Sequence, residues 1–148
     1  MTRASEPRNR PTLRQLTDFL ELEFPQMNAI RVEELAPMSA AVRHTVGNQE
    51  LRPGNTVAGP VMMAAADAAI YAALLGEIGL VALAVTTGLN INFLRKPAGN
   101  RDIIARCRLL KLGRSLAVGE VSVFSDGHSD PVAHAVGTYS IPQRQAAS

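Results

Sequence analysis

The chain contains no tryptophan, a single cysteine and few aromatic residues, 4% in all. One cysteine, Cys107, excludes an internal disulfide framework and a cysteine-only metal site. It sits in a strand-like run and reads as a small buried hydrophobe rather than a nucleophile. Scarce aromatic side chains and a net charge of only +2 leave neither a stacking platform nor a basic footprint for nucleic acid. The three histidines, His44, His128 and His134, fall at no metal-ligand spacing and have no nearby serine or cysteine partner. They read as structural or surface groups, and no metal is expected. Behind the polar start MTRASEPRNRP there is no apolar run, which points away from a secretory signal and towards a cytoplasmic protein. There is no internal repeat and no heptad pattern.

What is present is apolar: 47% of 148 residues, against 19% charged. That is enough for one domain with a substantial core. Residues 1–10 read as a mobile tail, and 11–148 as a single domain. The spacing of Leu13, Leu16 and Leu20 predicts an amphipathic helix over 12–24, capped by Thr12 and ended by Pro25. Strands are expected over 29–35 and 40–46, joined by the turn APMS, followed by a Gly- and Pro-rich loop over 47–59.

The run GPVMMAAADAAIYAALLGEIGL then predicts a helix from about Pro60 to just before Gly79, roughly 30 Å long. It has no polar stripe and should be buried on most sides. Its length suits a membrane span, but its alanine content and its interior acid argue for a core helix and no membrane. After Gly79 the period becomes two. Val81, Leu83, Val85, Thr87, Leu89, Ile91 and Phe93 share one parity, and three further strand-like runs follow, with a bulge expected at Gly119. These four read as an antiparallel meander. The whole plan predicts an α+β domain in which a twisted antiparallel sheet wraps a buried helix.

Asp67 is the anomaly. Five of the six residues from 64 to 69 are alanine, and Asp67 is the sixth. A carboxylate taken out of water costs several kcal/mol or more unless it is paired or hydrogen-bonded. So Asp67 is exposed, compensated or placed for chemistry. Tyr71, one turn on, is in reach of it. Glu77 reads as a solvated residue or an ion-pair partner.

The ordered set of Gly59 at the helix start, AADAA around Asp67, TTGLNINFLRKP, LLKLGRSLAVGEVSV and VAHAVGTYSIP resembles the hotdog-fold acyl-CoA thioesterases, in particular their phenylacetate-degradation-type branch. The resemblance covers residues 30–142. It implies a hotdog fold, here with an extra N-terminal helix. It implies homodimers joined through sheet edges, and homotetramers as pairs of dimers, with the active site at the dimer interface. The helix acid, Asp67, would be the base or nucleophile. The Gly59 N–H would polarise the thioester carbonyl, and Thr86, with Thr87 beside it, would position the water or the acid. Asn55, Met63 and Tyr71 fall to the substrate site. Arg95, Lys96 and Arg114, with Ser115 nearby, suit the phosphates of coenzyme A. Coenzyme A is then part of the substrate and no separate cofactor is implied; acyl carrier protein is the other possible carrier.

Elementary chemistry agrees in part. A helix N-terminus offers unpaired N–H groups and a dipole suited to a developing oxyanion. Asp67 lies seven residues after Pro60, about 10 Å along the rod. That is too far for both groups to act on one carbonyl unaided, and a partner subunit would close the gap. Two departures stand out: Ala58-Gly59-Pro60 replaces His-Gly-Gly, and Arg52 stands where many relatives carry Asn. The missing His leaves two other readings, a non-catalytic acyl-CoA-binding protein and, less favoured, a hotdog dehydratase or hydratase.

Overall fold

The computed structural model describes residues 10–143. Thr12 caps α1 (Leu13–Glu23) through a full capping box: its Oγ1 accepts from the Gln15 N–H, and the Gln15 side chain accepts from the Thr12 N–H. Leu16 is the residue that α1 buries completely. A hairpin follows, β1 (Ile30–Ala36) and β2 (Ser39–His44). Its turn holds Met38 in the left-handed region, φ 59°, and the Met38 N–H donates to Glu77 Oε2 at 2.7 Å. The loop over 47–59 contains a 3-10 turn and a small ladder, β3 (Leu51–Arg52) with β4 (Thr56–Val57). Two-residue strands carry no periodicity from which they could be read.

α2 (Gly59–Ile78) matches its sequence expectation closely, with Pro60 in the first turn and Gly79 at the C-cap. It is apolar and long enough to cross a membrane, with a mean hydropathy of 1.6, but here it is the core helix, mostly buried. It touches every strand of the main sheet. That sheet holds β1, β2, β5 (Val85–Phe93), β6 (Ile103–Leu112), β7 (Leu116–Ser125) and β8 (Ala133–Ser140), all antiparallel. The arrangement is the hotdog α+β fold with an added N-terminal helix.

The spatial order is β1-β2-β6-β7-β8-β5, which corrects the expected four-strand meander. β6, β7 and β8 do form a meander, but β5 lies beyond β8 at the sheet edge, and β6 pairs with β2 instead. The difference is visible in burial: β6 is buried over much of its length, whereas β5 is largely exposed. Alternation reports a strand's faces, not its neighbours. β5 is also shorter than expected. Residues 81–84 form a turn held by Tyr71, whose hydroxyl donates to the carbonyls of Val81 and Ala82.

The bulge expected at Gly119 lies on the opposite strand, where Leu110 is the extra residue between Leu109 and Lys111. Gly119 has a different role. It faces Gly137 across β7 and β8, and a Cβ on either would press on Ile70 of α2, at 3.3 Å from Cγ2 and 2.6 Å from Cδ1 respectively. The paired glycines form a notch that receives Ile70, which is fully buried.

Candidate active site

Ala58 caps α2 without a side-chain hydrogen bond. Gly59, the first helical residue, has an N–H with no intrahelical acceptor, and Pro60 carries none. The Phe93 ring lies 3.3 Å from where a Gly59 Cβ would stand. Asp67 is eight residues further on, about 12 Å along the axis. One chain does not bring Gly59 and Asp67 to one point.

Asp67 is half-buried, and two hydroxyls hold it. Thr86 Oγ1 donates to Asp67 Oδ1 at 2.7 Å, and the Tyr139 hydroxyl donates to the same oxygen at 2.8 Å. The acid is therefore compensated by hydrogen bonds rather than by a cation. Thr86 and Tyr139 face each other across β5 and β8. Strict alternation from Leu89 would turn Thr87 towards the helix. Instead the register shifts between Thr86 and Gly88, so Thr87 is a bulged residue and Thr86 takes the helix-facing position. The Thr87 hydroxyl donates to the Thr138 carbonyl at 3.3 Å and does not bond to Asp67.

Asp67, Thr86 and Tyr139 form one part of the wall of a cavity of about 720 Å³. The rest is mainly apolar and comes from α1 and its C-cap (Leu20, Phe24), the start of β1 (Ile30) and α2 (Ala64, Ala68, Tyr71). Tyr71 stacks on Tyr139, with centroids 5.7 Å apart, and meets Phe24 edge-on at 5.8 Å. It lines the cavity without bonding to Asp67. Burial, with Glu23 adding to it, pushes the Tyr71 hydroxyl up to about 12. Burial and the neighbouring Asp67 push Tyr139 well above the usual tyrosine range.

The other expected residues are spread out. Met63 is exposed and outside the cavity wall. Asn55 adopts φ 56° in the β3–β4 turn, and a Cβ on Gly99 would overlap its carbonyl oxygen. Arg95 donates to the Pro131 carbonyl, and with Lys96 it lines a second cavity of about 440 Å³. Arg114 and Ser115 do not join them. They precede Leu116, which pairs with Ser140, whereas Arg95 follows Phe93, which pairs with Ala133. The two sites lie at opposite ends of β8, roughly 23 Å apart. Glu77 is buried and ion-paired with Arg10 at 2.9 Å, so Arg10 is held against the core rather than in a tail. Residues 1–9 of the expected tail lie outside the described residues. Burial, with Glu120 adding to it, pushes the Cys107 thiol up to about 12, in keeping with a hydrophobe. Among the described residues no group of His, Cys, Asp or Glu side chains could hold a metal ion.

Sequence reasoning does not single out Tyr139 as a site residue. Its signal lies in the alternation of Ala133, Ala135, Gly137 and Tyr139, a buried face on which only Tyr139 carries a polar group.

The sequence profile of the thioesterase superfamily matches residues 54–132. The chain belongs to the thioesterase superfamily. A candidate thioesterase of a Silicibacter species is 46% identical over 87% of this chain and 90% of that one, with a TM-score of 0.81. A mutant form of the phenylacetic acid degradation protein PaaI of Thermus thermophilus is 29% identical, over 78% and 97%, with a TM-score of 0.67. Zebra fish thioesterase superfamily member 2 is 22% identical over 89% and 99%, with a TM-score of 0.77, a likeness of fold. No curated protein sequence matches this chain. In this thioesterase superfamily member, Asp67 and Thr86 lie inside the matched stretch. Tyr139 and the α1 wall of the cavity lie outside it.

Proposed function

We propose that this thioesterase superfamily member hydrolyses an acyl-CoA thioester to the free acid and coenzyme A. The observation that carries this reading is a carboxylate, Asp67, fixed by two hydroxyls on the wall of a largely apolar cavity. The acyl group lies in that cavity. Asp67 takes a proton from water as the water oxygen bonds to the thioester carbon. The tetrahedral intermediate then collapses, the C–S bond breaks, and the thiolate takes the proton back from Asp67. In the covalent variant, the Asp67 carboxylate attacks the thioester carbon, the C–S bond breaks and coenzyme A leaves as the thiolate; water then splits the anhydride into the free acid and the regenerated Asp67, and its released proton neutralises the thiolate.

The oxyanion donor is the Gly59 N–H of a second copy, since within one chain it lies too far along the helix from Asp67. A homodimer joined at the free edge of β5 supplies that copy, and pairs of dimers give a tetramer. Leu83, Val85, Phe93 and Leu94 form an exposed apolar band in and beside β5 that such pairing would cover. Arg95 and Lys96 are the groups for the coenzyme A phosphates, and the protein acts in the cytoplasm.

One observation favours a second reading. The N-cap of α2 is Ala58, with no polar side chain where the family resemblance expects His, so acyl-CoA binding without turnover is the alternative. Hydrolysis of short, medium, long and aromatic acyl-CoAs, followed by free thiol, separates the two. Turnover should fall by about a hundredfold or more in Asp67→Asn. Wild-type protein that binds acyl-CoA but hydrolyses none supports the binding reading.

A further inference from the structure

We infer that Tyr139 is a positioning residue for the reaction: with Thr86 it saturates one oxygen of Asp67, so that Oδ2 alone receives the proton from water. This rests on the hydrolytic reading of Asp67 and goes beyond it by assigning Tyr139 a role and one carboxylate oxygen the chemistry.

Both hydroxyls donate to Oδ1, at 2.7 and 2.8 Å, and no described residue donates to Oδ2. The Tyr139 hydroxyl also lies 3.3 Å from the main-chain carbonyl oxygen of Asp67. It thus engages the acid and the helix backbone together. Tyr139 cannot swing away readily. Its Cα register fixes it opposite Thr86, its ring stacks on Tyr71, and the residue is buried. With its hydroxyl held well above the ordinary range, first by burial and then by Asp67, Tyr139 stays a donor and never competes as a base.

Donors on Oδ1 fix the rotation of the carboxylate, while Oδ2 keeps its lone pairs for the incoming water. A free carboxylate would present either oxygen, and near-attack geometry would be lost for part of the time. Besides Tyr139, the titratable groups on the same cavity wall are Glu21 of α1, Arg31 of β1 and Tyr71 of α2.

The experiment compares kcat and KM for wild type, Tyr139→Phe, Thr86→Val, Thr86→Ser and Asp67→Asn, on the best acyl-CoA of the panel. Tyr139→Phe keeps the ring stack and removes one hydroxyl. It should lower kcat by about tenfold to a hundredfold with KM changed less than about twofold. Thr86→Val should show the same signature, and Thr86→Ser should restore most of the activity. If Asp67→Asn is inactive while folded Tyr139→Phe keeps the wild-type kcat, the inference about Tyr139 is wrong and the hydrolytic reading stands. If Asp67→Asn retains turnover, the hydrolytic reading itself fails. Should Tyr139→Phe fold poorly, Thr86→Val carries the test, and an unchanged kcat there overturns the clamp.

Discussion

Arg43 in β2 gathers three carboxylates. Its Nε donates to Glu33 at 2.6 Å, and its Nη1 donates to Asp102 at 3.0 Å and Asp126 at 2.8 Å. Asp102 in turn accepts from the Val46 N–H, so one guanidinium joins β1, β2 and the ends of β6 and β7. The hydrogen bond from Arg43 holds Glu33 below the ordinary carboxylate range, and it does the same for Asp126. Groups whose pKa is lowered by folding stabilise the fold above their unfolded values, and this is lost as pH falls through the lowered ones. The window therefore lies at and below the ordinary values of 4.5 and 3.8. In Arg43→Met both carboxylates lose that partner, and acid unfolding followed by circular dichroism should begin at a higher pH than in wild type. Residues of this kind differ in how far sequence discloses them. Asp67 can be found because it interrupts an alanine run, and Thr12 because capping is local. Thr86 follows from resemblance, since alternation alone selects Thr87. Only the bulge turns Thr86 inward, and a bulge is decided by how two distant strands pair.

Ile70 and the Gly119–Gly137 notch set how α2 sits on the sheet. Ile70 is three residues from Asp67, and Gly137 is two residues from Tyr139. The knob that seats the helix thus also sets the reach from the acid to its two hydroxyls. A methyl at Gly137 would stand 2.6 Å from Ile70 Cδ1 and 3.0 Å from Leu89 Cδ1. Gly137→Ala should cost about 1–3 kcal/mol in urea unfolding and lower thioester hydrolysis as well. Adding Ile70→Val should recover part of both, because it shortens the side chain that is struck. A loss of stability with activity untouched would show that helix seating and site geometry are independent. Every strand of the main sheet can be expected from alternation, and α2 from its apolar run, because each such pattern is local. The order of the strands is not legible. That β6 pairs with β2 and β5 with β8 follows from the way the chain crosses between residues 94 and 102, which leaves no mark in either strand's alternation.

Among the described residues the main sheet ends in two edge strands, β1 and β5, and β5 is the one that carries exposed apolar side chains, Val85 and Phe93, with Leu83 and Leu94 beside it. In the proposed dimer that edge both joins two sheets and delivers the partner's helix start to Asp67. Val85→Lys with Phe93→Lys would place charges on two half-exposed apolar positions of the edge strand. Sedimentation should give wild type a mass at least twice the 15.8 kDa of the chain, and the double variant a single chain's mass. Hydrolysis should disappear with the dimer while the far-UV spectrum is kept. A monomeric variant with full activity would show that one chain suffices for the chemistry.

The stacked pair of Tyr71 and Tyr139 has an optical consequence. They are the only tyrosines of the chain, tryptophan is absent, and both rings line the same cavity. Tyrosine fluorescence of the intact protein therefore originates at this wall and nowhere else. With no indole to drain it by energy transfer, that emission is an unlabelled reporter of whatever enters beneath α1.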